Sequence, residues 1–490
     1  MNRTKLIFYA LLAALFVPLG VMLWKRGDDS RGESLLFYCA AGMRKPIEEI
    51  AASYEEEYDV EVKLQFAGSG TLLGNIEASK QGDLYLAADS SYINKAREKE
   101  LAQEAIPLSW LTAGLVVPKG NPKGITSITD LRDRDDVRIV LANPEAASVG
   151  KFTKKVLEGA GLWEAIEPRV LAMKPTVNEL TNDVKIGAAD VAIVWDAVTS
   201  QYPELDFVHV PEFDAKKKDV TVCVLNSTKN PAAALHFARY LTARDRGLDV
   251  FRKHHFEVMD GDKWEARPEL VFYSGAMLQP AIRERMEYFE KREGVNLRFV
   301  PNGCGILVSQ MKAGARPDAY FSCDVSFMDA VEDLFDESRL VSGNQLVILS
   351  AGDKVQSIND LEKDDVRIGL AHPEKSALGA LTVKLLDTLN IQPNKLLDSA
   401  TGDFLVNQLR AGSLDAVIVY RSNAMAHPET LQKLKIIEID HPMAAARQPF
   451  AIGKNSNHKR LMGRLFDTLT AEDGKAEFLK YGFKWEMGTE

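Results

Sequence analysis

A chain of 490 residues is longer than one hydrophobic core usually organises, so two or more domains are expected. Apolar residues make up 46% and charged residues 27%, which excludes a disordered chain. The formal net charge of -10 argues against non-specific nucleic-acid binding, which needs a basic face to release counterions. A buried anion site remains open, because it answers to its local donors.

From the N-terminus, Leu6 to Trp24 is an uncharged apolar run, LIFYALLAALFVPLGVMLW. As a helix it spans roughly 28 Å, close to the hydrocarbon thickness of a bilayer. Val21-Met22-Leu23-Trp24-Lys25-Arg26 lacks the small residues of a cleavage site, so residues 1–33 are read as a signal anchor and linker. Cleavage at an unrecognised site is the alternative. Charges on the two flanks nearly balance, so orientation follows from function rather than from the flanks.

Beyond the linker, short apolar runs alternate with helical patterns. Leu35–Cys39, Val60–Phe66, Leu84–Ala87, Arg138–Ala142 and Val191–Trp195 are predicted strands. Pro46, Ile47, Ile50, Ala51, Tyr54 and Tyr58 recur at helical spacing and predict a helix with one buried face. Such alternation implies α/β units with mostly parallel sheets, and ligands beyond the carboxyl ends of the strands.

The pattern then repeats. Leu36-Phe37-Tyr38-Cys39-Ala40-Ala41-Gly42 returns as Val271-Phe272-Tyr273-Ser274-Gly275-Ala276-Met277. Gly82-Asp83-Leu84-Tyr85-Leu86-Ala87-Ala88-Asp89 returns as Pro317-Asp318-Ala319-Tyr320-Phe321-Ser322-Cys323-Asp324. Ala142-Asn143-Pro144-Glu145 matches Ala371-His372-Pro373-Glu374, and Asp190–Trp195 matches Asp415–Tyr420. Collinear matches with a slowly shrinking offset indicate a duplicated globular domain. The expected boundaries are 34–258 and 269–490, with the seam in the polar stretch near Met259–Pro268.

Three loops of the first copy lie at predicted strand ends: Ala40-Ala41-Gly42, Gly68-Ser69-Gly70-Thr71 and Ala87-Ala88-Asp89-Ser90-Ser91. Small residues admit a ligand to the backbone, and helix N-termini aim unpaired N–H groups at it. Ser69 and Thr71 add hydroxyls. A lone Gly-Ser-Gly turn is usually only a cap, and Asp89 is read as a cap; the inference rests on three such loops together.

These segments, with Ala142-Asn143-Pro144-Glu145, Gly150 and Ala192-Ile193-Val194-Trp195, resemble the periplasmic molybdate-binding proteins of ABC importers. The resemblance covers nearly all of residues 34–258 and, more weakly, 269–490. It implies tandem type II periplasmic-binding-protein domains, each of two lobes joined by crossover strands around an oxyanion cleft. Carried over by position, Gly42 and Ser69 fall at serine donors, Ala147 and Val177 at backbone N–H donors, and Trp195 at a tyrosine; Ala88 joins them from the third loop. Gly42 lacks the hydroxyl, and Asp196 would repel a dianion if its carboxylate faced the cleft.

In the second copy Cys304 stands for Ser69, Cys323 for Ala88, Met277 for Gly42, Tyr420 for Trp195 and Arg421 for Asp196. Cys304 and Cys323 lie at adjacent strand ends, where a disulfide and two buried thiols are both open readings. Arg421 is expected to bring positive charge near the cleft, so this copy either takes a different anion or serves as a scaffold.

The expected function is extracytoplasmic, membrane-anchored capture of molybdate, tungstate or sulfate for an ABC permease. A membrane-anchored solute sensor is the alternative. The four cysteines form no C-x-x-C pair, no catalytic set or phosphate loop is legible, and no enzyme activity, metal or cofactor is expected.

Overall fold

The computed structural model describes residues 34–426 and 431–488. The expected membrane segment, Leu6–Trp24, lies outside them. Among the described residues no helix is long and apolar enough to cross a membrane. The chain divides into a first compact unit ending at Gly261 and a second running from Asp262.

In the first unit, strand β1 (Ser34–Ala40) leads through a short 3-10 turn into helix α1 (Arg44–Tyr58). Pro46, Ile47, Ile50, Ala51 and Tyr54 are the buried face of α1, and Asp59 ends it in the left-handed conformation. Strand β2 (Glu61–Ala67) runs into helix α2 (Ser69–Ser79), and β3 (Leu84–Ala87) follows. Phe37, Leu84, Tyr85 and Leu86 have no exposed surface, as expected for a strand layer covered on both faces. Burying each such side chain contributes about 1.5–3 kcal/mol.

The chain leaves this lobe on β4 (Ala102–Leu111) and enters a second lobe as β5 (Ala113–Pro118). The second lobe holds β6 (Ile139–Ala142), helix α3 (Ser148–Gly159), β7 (Val170–Lys174), helix α4 (Val177–Lys185), β8 (Val191–Trp195) and β9 (Leu205–Val208). The chain returns on β10 (Lys218–Leu225), and β11 (Glu257–Val258) closes the unit. The sheets are six-stranded, β11-β4-β10-β3-β1-β2, and five-stranded, β7-β6-β8-β5-β9.

These sheets correct the expectation of mostly parallel pairing. The pairs β1–β2, β1–β3, β6–β7 and β6–β8 are parallel. The pairs β3–β10, β4–β10, β4–β11, β5–β8 and β5–β9 are antiparallel. Strands that carry the chain out of one lobe and back again run against the β-α-β core, and this makes each sheet mixed.

The second unit repeats the order with β12 (Glu269–Gly275), helix α5 (Gln279–Glu293), β13 (Asn296–Asn302), helix α6 (Cys304–Lys312) and β14 (Ala319–Phe321). There the crossover is one strand, β15 (Arg339–Ala351). The other lobe comprises β16 (Ile368–Ala371), helix α7 (Ala377–Leu389), β17 (Lys395–Ser399), helix α8 (Gly402–Arg410), β18 (Ala416–Tyr420) and β19 (Leu434–Glu438). The return strand is β20 (Ala445–Ile452), and β21 (Lys484–Trp485) pairs with β15. Continuity of β15 through both lobes joins the strands into a single ten-stranded sheet.

One ion pair recurs in both units. Arg138 grips Asp190 through Nη2 at 2.8 Å and Nε at 3.1 Å, while its backbone N–H donates to the same carboxylate at 2.9 Å. Arg367 holds Asp415 the same way at 3.0, 3.0 and 2.9 Å. Each fork ties the start of a central parallel strand to its neighbour. The Arg367 hydrogen bonds outweigh burial and lower the Asp415 carboxyl to about 2.

Because the folded value lies below the unfolded carboxylate value of about 3.9, the stabilisation is full above that pH and is lost as pH falls toward 2. Asp415→Asn should therefore lower the unfolding temperature at pH 7, and its difference from wild type should shrink between pH 4 and 2. Calorimetry across that window checks this.

Candidate functional site

The strand ends and helix starts of the first unit meet at one cleft. Ala41 and Gly42 from the turn before α1, Gly68 and Ser69 at the start of α2, and Ala88 after β3 wall it from one lobe. Ala147, Ser148 and Val149 at the start of α3, Thr176 and Val177 at the start of α4, and Trp195 at the end of β8 wall it from the other. No charged side chain is in this lining. The first N–H groups of a helix lack intrahelical acceptors and carry partial positive charge, so the wall is donor-rich without a cation.

Ser69 is 1% exposed, and its Oγ accepts the Ala88 N–H at 3.2 Å. The hydroxyl hydrogen is thereby left to donate elsewhere. The Tyr85 hydroxyl donates to the Ser69 carbonyl at 2.7 Å and fixes that turn. Trp195 is 1% exposed and stacks on Phe152 at 5.7 Å. Asp196 turns away from the lining: its carboxylate accepts the N–H groups of Thr112 at 3.2 Å and Ala197 at 2.8 Å. Burial pushes that carboxyl above its ordinary value.

Of the residues singled out in the sequence, Gly42, Ser69, Ala88, Ala147, Val177 and Trp195 come together here. Thr71 does not. The turn of α2 leaves it exposed, and its backbone N–H donates to Ala146 O at 3.2 Å. The Ala147 N–H donates to Asn143 O at 3.0 Å, so in this structure it serves the turn before α3. A Cβ on Gly42 would meet Val198 at 2.9 Å and Val177 at 3.2 Å, which is where a serine at this position would have to fit. The sequence reading missed the hydroxyls of Ser148 and Thr176. Their signal was available, since each is a hydroxyl residue at the start of an amphipathic helix.

In the second unit a corresponding cleft is lined by Cys323 and Tyr420 among others. Cys304 lies behind it, fully buried, and its Sγ accepts the Cys323 N–H at 3.1 Å, copying Ser69 and Ala88. Both cysteines are free thiols. The hydrogen bond from Cys304 and burial hold the Cys323 thiol well above its ordinary value. Arg421 corrects the expectation of charge near the cleft. It is absent from the lining and pairs with Glu438, because it starts a new helix just past the strand end.

The lobes of the first unit touch beside the cavity. Gly70 N–H donates to Ala146 O at 2.9 Å, and Gln201 Nε2 donates to Gly42 O at 3.2 Å. A Cβ on Gly70 would stand 2.0 Å from Glu145 O, a backbone atom that cannot swing aside. Gly305 meets Glu374 O at the same 2.0 Å in the second unit. Gly70→Ala should hold the first unit's lobes apart without unfolding it, since alanine favours the helix. Faster amide hydrogen exchange across 69–72 at near-constant unfolding temperature is the expected result.

The model for bacterial extracellular solute-binding proteins matches residues 35–257 and again 270–484. The molybdate-binding protein ModA of Escherichia coli is 27% identical over 266 residues, covering 53% of this chain and 100% of its own. A putative ABC transporter substrate-binding lipoprotein, YvgL, of Bacillus subtilis is 26% identical over 257 residues, 51% of this chain and 96% of its own. A solved periplasmic molybdate-binding protein of Azotobacter vinelandii aligns over 46% of this chain and 100% of its own, at 17% identity and a TM-score of 0.40. With the family matched twice in succession over most of its length, this chain belongs to the bacterial extracellular solute-binding proteins as a tandem duplication.

Proposed function

We propose that the first unit captures a small oxyanion of the molybdate or tungstate type for an ABC permease, the chain being held at the membrane by residues 6–24. The observation that carries this reading is a cleft walled by helix starts and hydroxyls with no charged side chain among them. An oxyanion offers acceptors on every side and needs only donors, which the Ser69 and Ser148 hydroxyls and the N–H groups at the starts of α3 and α4 supply. A cationic solute would find no carboxylate to pair with, and burying an unpaired charge is costly. The names of ModA and YvgL, a molybdate-binding protein and an ABC transporter substrate-binding lipoprotein, support the same reading.

Titration of the full chain with molybdate, tungstate, sulfate and phosphate tests it. At about 100 times its dissociation constant a ligand should stabilise the native state by roughly 2.7 kcal/mol. Ser69→Cys borrows the arrangement of Cys304, keeping an acceptor for the Ala88 N–H while replacing a strong donor by a weak one. This variant should fold normally and weaken oxyanion binding by about tenfold or more, roughly 1.4 kcal/mol. Absence of any Ser69-dependent response would remove the oxyanion assignment.

A further inference from the structure

We propose that Cys304 and Cys323 form a redox-active dithiol, at which a small uncharged disulfide reacts and leaves a reversible bridge in the wall of the second cleft. This goes beyond solute capture and does not depend on it. Cys304 opens α6, Cys323 follows β14, and the Cys323 N–H donates to Cys304 Sγ at 3.1 Å. Both sulfurs converge on the end of β12. The point where a Cβ on Gly275 would stand is 2.2 Å from Cys323 Sγ and 3.1 Å from Cys304 Sγ. Two sulfurs gathered at one point need side-chain rotation, rather than backbone movement, to reach bonding distance.

Three linked differences from the first unit produce this arrangement. Cys304 stands for Ser69, Cys323 for Ala88 and Gly275 for Ala40. The first difference keeps the turn satisfied, since Cys304 accepts the Cys323 N–H as Ser69 accepts that of Ala88. The second adds a sulfur that the turn does not need. The third clears a place for it, because an alanine in place of Gly275 would push the Cys323 sulfur aside. Among the described residues no third histidine, cysteine or carboxylate joins the pair to make a metal-ion group, so its chemistry is that of a dithiol.

Position assigns the order of events. Cys323 is 5% exposed and lines the cleft, whereas Cys304 lies behind it with no exposed surface. Cys323 Sγ therefore attacks one sulfur of a small disulfide R–S–S–R, forming Cys323–S–S–R and releasing R–S, which leaves as R–SH with the Cys323 proton. Burial raises the Cys304 thiol, but hydrogen bonds from the Cys323 thiol and the Tyr320 hydroxyl bring it below its ordinary value, so its sulfur is suited to hold that proton in passing. Cys304 Sγ then attacks Cys323 Sγ and displaces the second R–S, which leaves as R–SH with the Cys304 proton. One disulfide is consumed and one is made, and the protein thiols are oxidised while the small disulfide is reduced. The second attack is internal, so the burial of Cys304 does not hinder it. With no charged side chain in the lining, an uncharged disulfide is the fitting reagent.

The test treats the folded, reduced full chain with hydroxyethyl disulfide, the oxidised form of mercaptoethanol, and maps the cysteines by mass spectrometry after alkylation in denaturant. Cys39 and Cys223 are buried thiols outside both cleft linings and serve as internal controls. The expected result is a peptide pair joined through Cys304 and Cys323 and lighter by two hydrogens. Alkylation of those two residues should fall about tenfold or more while that of Cys39 and Cys223 holds, and dithiothreitol should restore all four thiols. Cys304→Ser keeps an acceptor for the Cys323 N–H, as Ser69 does in the first unit, so this variant should fold. In it Cys323 should stop at the mixed disulfide with mercaptoethanol. The proposal is overturned if the native chain yields no bridge, if wild-type Cys323 also stops at the mixed disulfide, or if Cys39 and Cys223 oxidise at the same rate, which would mark reaction through unfolding.

Discussion

Everything in the first unit depends on holding helix starts from two lobes against one small space with no charge to assist. Backbone N–H groups can serve as donors only where the chain has no carbonyl of its own to give them, and the first turn of a helix is such a place. In this fold each parallel strand ends beside the start of the next helix, so β1, β2 and β3 deliver their ends to one side of the cavity and β6 and β8 to the other. Ser69 shows how closely this is adjusted. Its carbonyl, its Oγ and its helix position are all committed to Tyr85, Ala88 and α2, and only the hydroxyl hydrogen remains for an occupant.

Close approach of the lobes sets a second demand. Backbone meets backbone at Gly70 and Glu145, and again at Gly305 and Glu374, with no space for a methyl group. The duplication has kept this contact while replacing most of the side chains around it. Contacts made by backbone are indifferent to neighbouring side chains, which explains how the cavity linings could diverge while the closure geometry stayed the same.

The two units differ in how their lobes are linked. In the first, β4 and β5 are separate strands parted at Thr112, whose N–H is held by Asp196. In the second, β15 runs unbroken, and Asn344 Nδ2 donates to Ser422 Oγ at 2.8 Å near the same level. Replacement of Asp196 by Arg421 therefore belongs to the joint between lobes rather than to the ligand wall. The carboxylate caps a strand break, and where the strand is continuous the position is released to pair with Glu438.

By itself the sequence determined the duplication, the order of strands and helices, and the loops that reach the cavity. All of these follow from local periodicity and collinear repeats, and β1, β2, β3, β6 and β8 lie within a residue or so of their expected spans. Membership of a binding-protein family was legible in the same segments. Which side chains face the cavity was decided only by tertiary structure. Thr71 and Ser69 are neighbours on one helical turn, yet the rotation of α2 buries one and exposes the other. Arg421 and Tyr420 are adjacent, yet the strand end turns them apart, one into the wall and one toward Glu438. Sheet direction also escaped the sequence, because an outgoing strand and a returning one carry the same apolar pattern and only their partners distinguish them.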